Sequence, residues 1–161
     1  MVSRAIELLA PQADESVLDL YCGVGNFTLP LARRAATVLG VEGEAGLVEK
    51  ARLNAAANDL RNVQFSTADL SVSPKNEPWC NHRFDRILLD PPRAGAAELL
   101  PFIARSGAKR VVYISCHPAS LARDAGLLVR EHGFVLRAAG IMDMFPHTAH
   151  VESIAVFEPA S

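Results

Sequence analysis

Apolar positions along this chain alternate between two patterns. Short, nearly continuous runs such as Val17-Leu18-Asp19-Leu20-Tyr21 and Ile87-Leu88-Leu89 have the form of strands covered on both faces. Between them lie segments whose apolar residues recur three and four apart, the spacing of a helix with one buried face. Val2 to Leu9 reads as a short helix closed off by Pro11, and Ser16 to Tyr21 as the first strand. A helix from about Asn26 to Ala36 follows, with Pro30 tolerated in its first turn, where N–H groups lack helical partners. Thr37 to Val41 is the second strand. Ala45 to Asn58 is a helix with Leu47, Val48, Ala51 and Ala55 at helical spacing, and Val63 to Ser66 is the third strand. The stretch from Ser71 to Arg83 holds Pro74, Asn76 and Pro78 with little periodicity and reads as a surface loop. Phe84 to Asp90 is the fourth strand, stopped by Pro91-Pro92, which cannot donate to a ladder. Glu98 to Ser106 is a helix, Arg110 to Ser115 the fifth strand, and Leu121 to Glu131 a helix with Gly133 past its C-terminal end. The last two strands are Phe134 to Met142 and Val151 to Phe157.

This alternation predicts an α/β, Rossmann-like fold: a mostly parallel seven-stranded sheet with helices on both faces. After Gly133 the helices stop, and a parallel pair would need a longer crossover, so the last two strands should form a C-terminal antiparallel hairpin. No repeat or low-complexity tract divides residues 1–161, which read as a single domain.

The first strand ends at Tyr21-Cys22-Gly23-Val24-Gly25-Asn26, a strand, tight turn and helix start of the kind that binds nucleotides, where glycine admits a ligand close to the backbone. Alone the turn is weak as a signal. Position 28, where a third glycine would complete the dinucleotide pattern, is Thr28. Glu42 stands at the end of the second strand, where a carboxylate can accept both ribose hydroxyls, and Asp69 follows the third, where it can hold an adenine amino group. These points suit S-adenosylmethionine better than a nicotinamide, although a solvated Glu42 and an Asp69 that only caps a turn fit the same positions. Tyr21 fits the cofactor edge or the core. Leu89-Asp90-Pro91-Pro92-Arg93 and Ser115-Cys116-His117-Pro118 both fall at the C-terminal edge of the sheet, where open α/β sheets bind ligands. A thiol there faces the crevice, whereas Cys22 reads as a small buried hydrophobe and Cys80 has no visible role.

With these motifs in order, the chain resembles the catalytic domain of the RNA uracil-5-methyltransferases. The resemblance runs from Val17 to Phe157 and rests on Leu18-Asp19-Leu20-Tyr21-Cys22-Gly23-Val24-Gly25-Asn26-Phe27, Asp90-Pro91-Pro92-Arg93, Ser115-Cys116-His117-Pro118-Ala119-Ser120-Leu121-Ala122-Arg123-Asp124, and Asp143-Met144-Phe145-Pro146-His147-Thr148-Ala149-His150-Val151-Glu152. The segments around Glu42, Arg93 and Asp143 look most like the branch acting on 23S ribosomal RNA, with the transfer-RNA branch second. The resemblance implies a Rossmann-like S-adenosylmethionine-dependent fold and methylation of carbon 5 of a uridine. Cys116 would be the nucleophile at carbon 6 and Glu152 the base that removes the carbon 5 proton. It places Tyr21, Gly23, Gly25, Asn26, Glu42, Asp69 and Asp90 at the cofactor, and Asp90 and Arg93 at the substrate. Asp90 is suited to the uracil N3–H, and many relatives carry an amide at Asp69. His117 stands where an asparagine is common. A target inside paired RNA would have to be flipped out. Tyr113 and Phe145 read chiefly as core, with stacking as the alternative. The helix start after Pro118, together with Arg93 or Arg123, would favour the Cys116 thiolate.

Composition narrows this picture. A net charge of −2 is not that of a chain gripping nucleic acid along its whole surface. Three cysteines without metal-ligand spacing point to reduced thiols in a cytoplasmic protein. No metal site is expected at His147 and His150, no membrane span is present, and no secretory leader opens the sequence. Relatives carry an upstream RNA-binding barrel, a central domain and, in the ribosomal branch, often an iron–sulfur cluster; the chain is therefore expected to be a catalytic fragment. A non-catalytic S-adenosylmethionine- or RNA-binding module and a nicotinamide oxidoreductase are the competing classes.

Overall fold

The computed structural model describes residues 1–75, 77–142 and 152–160. Its strands are β1 (Ser16–Leu20), β2 (Thr37–Glu42), β3 (Val63–Thr67), β4 (Arg86–Leu89), β5 (Arg110–Ser115), β6 (Phe134–Met142) and β7 (Glu152–Pro159). Helices are α1 (Val2–Leu9), α2 (Thr28–Ala32), α3 (Ala45–Ala57), α4 (Leu100–Arg105) and α5 (Pro118–Glu131). The seven strands lie in the order β3-β2-β1-β4-β5-β7-β6. β1 to β5 pair in parallel, and β7 pairs antiparallel with both β5 and β6. The expected hairpin is therefore present, with its second strand on the inside.

Alternation along the strands divides the core. Leu18, Leu20, Ile87, Leu89, Val111, Tyr113, Ala155 and Phe157 face α4 and α5. Val17, Leu88, Val112, Ile114, Ile154 and Val156 belong to the other face, packed with Ile6 and Leu9 of α1 and Leu31 of α2. Leu88 is fully buried on that second face, so Leu88→Ala is expected to cost about 3 kcal/mol in urea unfolding.

Several boundaries differ from expectation, each for a visible reason. α2 stops at Ala32 rather than Ala36, because the Asn62 side-chain amide donates to the carbonyls of Ala32, Ala35 and Ala36 at 2.8, 3.1 and 3.3 Å. β1 ends before Tyr21, which adopts φ 63, a left-handed conformation uncommon outside glycine. α5 begins at Pro118, three residues early, with proline in the first turn. The helix expected over 98–106 splits into a 3-10 turn, Ala97–Leu99, and α4. The stretch from 71 to 83 is not wholly surface: a 3-10 turn, Pro78–Asn81, drives Trp79 into the core, edge-on to Phe102 with ring centroids 5.1 Å apart. There the Cys80 thiol donates to the Pro74 carbonyl.

Candidate active site

The sheet order brings the chemistry-bearing motifs to one edge. Asp90 follows β4, Cys116 follows β5 and Glu152 opens β7, and these three strands are neighbours. The β5–β7 ladder ends at the pair Ser115 and Ser153, so Cys116 and Glu152 are the next positions in register. By strand alternation Asp90 follows the parity of Leu88, Cys116 that of Ile114 and Glu152 that of Ile154, which is one face of the sheet. With strands about 4.8 Å apart, the three positions span about 10 Å, the scale of one pyrimidine ring and its contacts. All three residues are half-buried. Burial first, and the Glu152 charge second, push the Asp90 carboxyl up to about 6.

Cys116 sits in a turn held by hydroxyl groups. Ser115 Oγ accepts from the His117 N–H at 3.0 Å and donates to the His117 carbonyl at 3.1 Å. Ser153 Oγ donates to the Ser115 carbonyl at 2.9 Å. His117 is the N-cap of α5, its Nδ1 accepting from the Ser120 N–H at 3.3 Å. That bond requires an unprotonated Nδ1, so the neutral ring carries its proton on Nε2. The acceptor a capping asparagine would supply is thus kept by a histidine. Of the groups expected to favour a thiolate, the α5 N-terminus is in place, whereas Arg123 is engaged elsewhere: Nε donates to Asp124 at 2.8 Å and NH2 to the Ala94 carbonyl at 2.8 Å. Arg93 is exposed. Tyr113 is fully buried, which removes it as a stacking surface. Phe145, His147 and His150 lie outside the described residues.

Four expected cofactor residues share one cleft. Tyr21, Glu42, Asp69 and Asp90, with Gly43, Leu70, Ser71 and Pro92, line a space of about 400 Å³. Backbone N–H groups of Gly23, Gly43 and Glu44 donate to the Glu42 carboxylate at 3.0, 2.7 and 3.2 Å, fixing it against the glycine turn. Oε1 accepts two of these bonds and Oε2 one, so Oε2 keeps lone-pair capacity for a hydroxyl. Asp69 does cap a turn, accepting from the Ser71 N–H at 2.9 Å and its hydroxyl at 2.6 Å, which holds its carboxyl below the usual range. It lines the cleft as well. Tyr21 donates from its hydroxyl to the Leu70 carbonyl at 3.0 Å, closing one wall. Gly25 and Asn26 do not join this lining; they border a separate groove with Arg33, Asn54 and Asn58. Gly23 is tied to the cleft by its bond to Glu42. Cys22 is core, as expected, and burial pushes its thiol well up.

Two fully buried carboxylates, Asp19 and Asp124, are not singled out by the sequence. Asp19, fully buried in β1, accepts from Thr28 Oγ1 at 2.5 Å, and its other oxygen has no partner among the described residues. Burial pushes it up to about 7. Thr28, at the place of a third glycine, thus supplies the hydroxyl that Asp19 needs. Asp124, the last residue of the motif that carries Cys116, is fully buried and accepts from three residues. An ionisable residue within an apolar strand was the available signal for Asp19; none in the sequence marks Asp124.

A profile of the family described as tRNA (Uracil-5-)-methyltransferase matches residues 1–159. The chain is 62% identical over 158 residues to the 23S rRNA (uracil(1939)-C(5))-methyltransferase RlmD of Stenotrophomonas maltophilia, and 61% identical to the same-named protein of Alkalilimnicola ehrlichii. Each match covers 98% of this chain and 36% of the relative, so the chain spans little more than a third of the length of these relatives. Among solved structures it is similar to the Pyrococcus abyssi tRNA (uracil-54, C5)-methyltransferase in complex with S-adenosyl-L-homocysteine. That likeness has a TM-score of 0.79 and 34% identity over 97% of this chain and 36% of that one. A precorrin-6y C5,15-methyltransferase of Geobacter metallireducens shares the fold alone, with a TM-score of 0.79 at 14% identity over 98% of this chain and 86% of that one. The architecture is the Rossmann-like fold of the S-adenosylmethionine-dependent methyltransferases, and the chain belongs to the tRNA (uracil-5-)-methyltransferase family.

Proposed function

We propose that this chain is the catalytic unit of an enzyme that methylates carbon 5 of a uridine in 23S ribosomal RNA, with S-adenosylmethionine as methyl donor. The observation that carries the reading is the convergence of Asp90, Cys116 and Glu152 on three adjacent strand ends. Carbon 5 of uracil is a poor nucleophile. Addition of the Cys116 thiolate to carbon 6 forms a C–S bond and moves the ring π pair toward O4, making an enolate. Asp90 holds the ring by accepting from N3–H. Carbon 5 then takes the methyl group that the sulfonium of S-adenosylmethionine supplies. Glu152 removes the proton from carbon 5, the C5=C6 bond re-forms, and the thiolate leaves. The carboxylate-lined cleft suits a nucleoside with ribose hydroxyls and an exocyclic amine: Glu42 faces the former and Asp69 the latter.

The reading is tested by incubating the chain with S-adenosylmethionine and RNA carrying 5-fluorouridine. Fluorine cannot leave as a proton does, so a gel-stable protein–RNA adduct is expected, and none with Cys116→Ala. Absence of an adduct from the unaltered chain refutes the reading. Transfer RNA is the second substrate reading, favoured by the likeness to the Pyrococcus abyssi protein. Comparing 23S and transfer-RNA transcripts as substrates separates the two. A chain of net charge −2 has little general attraction for RNA, so its binding rests on local contacts such as Arg93. A ribosomal RNA substrate and three cysteines outside any disulfide support a cytoplasmic setting for this reading.

Glu42→Gln should weaken S-adenosylhomocysteine binding about 10- to 100-fold in calorimetric titration, because one amide group then opposes backbone N–H donors. Unchanged affinity would remove Glu42 from the cofactor site.

A further inference from the structure

We propose that Asp124 is a positioning residue for this reaction, fixing the Asp90-to-Arg93 loop relative to the Cys116 turn; the inference rests on the uracil-methylation reading. Asp124 lies on α5, the helix that begins two residues after Cys116, and is fully buried. Its Oδ2 accepts from Tyr113 Oη at 2.6 Å and from the Ala96 N–H at 2.8 Å. Its Oδ1 accepts from Arg123 Nε at 2.8 Å. Tyr113 is on β5, three residues before the nucleophile, and Ala96 is in the loop that leaves Asp90-Pro91-Pro92-Arg93. Arg123 reaches past Asp124 to the Ala94 carbonyl in the same loop. One carboxylate therefore joins the strand that carries the thiol, the helix that follows it and the loop that carries the substrate-side groups.

The loop is shaped to this hub. Gly95 has φ 86, and a Cβ there would lie 2.5 Å from the Arg123 guanidinium and 2.6 Å from Asp124 Oδ2. Glycine is needed both for its backbone angle and because the loop lies against the two side chains. None of these hydrogen bonds is made to Glu42 or Asp69, while Gly95, Ala96 and Arg123 line a pocket together with Tyr21, Leu70, Ser71 and Pro92, which also border the cleft.

The decisive measurement is the single-turnover rate of adduct formation with 5-fluorouridine RNA, at saturating RNA and S-adenosylmethionine, where each variant is folded by circular dichroism. Asp124→Asn keeps the shape but turns an amide donor toward the N–H of Ala96 or the guanidinium. Its rate should fall about 100-fold, with the final adduct yield within about threefold of the unaltered chain. Arg123→Gln, at a half-exposed position, should lower the rate about 10-fold by freeing Ala94. A purely structural role would reduce the yield in proportion to folded protein and leave the rate alone; that result overturns the proposal. Should Asp124→Asn not fold, an unaltered rate in Arg123→Gln overturns it. If the unaltered chain forms no adduct, the methylation reading itself fails and this inference falls with it. Normal adduct formation with unchanged variant rates refutes only the role of Asp124.

Discussion

Glu152→Gln incubated with ordinary uridine RNA and S-adenosylmethionine should run on a denaturing gel as a protein–RNA complex. The thiol can still add and the methyl group can still transfer, but the carbon 5 proton has no base to take it. Cys116 then stays bonded to carbon 6. Turnover should fall about 10²- to 10⁴-fold, the usual contribution of a general base. Cys116→Ala should give neither product nor complex. The double variant should match Cys116→Ala, because the base acts only after the covalent bond has formed. A Glu152→Gln enzyme that turns over normally would move the base to another residue. Asp90, whose carboxyl titrates near 6 beside the Glu152 charge, would be the first to examine.

Arg86→Ala should lower stability by about 3 kcal/mol in urea unfolding, the largest loss expected from any single surface-edge substitution. Arg86 donates from Nε to Glu15 at 2.7 Å and from NH2 at 3.1 Å, while NH1 reaches the Leu9 carbonyl at the end of α1 at 3.3 Å. The Glu15 and Arg86 side chains are 8% and 13% exposed, so removing the arginine leaves a nearly buried carboxylate with the Gln12 N–H at 3.0 Å and Lys109 at 3.5 Å. The Arg86 bonds hold the Glu15 carboxyl below its ordinary range. Its stabilisation is therefore present above the unfolded value of about 4.3 and lost as pH falls through the lower folded value. The difference between Arg86→Ala and the unaltered chain should accordingly narrow below about pH 4. Asp85 and Glu158, lowered by Ser16 and by Arg110 respectively, add to the same acid limb in both proteins. A gap that stays constant from pH 7 to pH 3 would show that Arg86 acts through packing alone.

Features carried by local pattern were legible in the sequence. Strand alternation, the stop at Pro91-Pro92 and the change of pattern after Gly133 were enough for the sheet and its antiparallel end. The motifs at Asp90 and Cys116 are legible as an edge pair because each ends a strand, whereas Glu152 is singled out by the family resemblance. What escaped depends on partners far along the chain. α2 is cut short by an amide 30 residues beyond it, and Trp79 is buried because Phe102 offers it an edge. The split of the glycine turn from the Glu42 cleft is a matter of three-dimensional placement that spacing does not encode. Asp124 is the sharpest case: in sequence it is an acid following Arg123 within a helix, with no spacing that separates it from a solvated one.

The antiparallel contact between β5 and β7 fixes the face on which Glu152 falls. Side chains on a strand switch faces at every step, so one added or deleted residue between Ser153 and Phe157 would not shift Glu152 slightly; it would turn it over the other side of the sheet. The placing of Glu152 over the sheet therefore depends on the number of residues from Ser153 to Phe157 as much as on their identity.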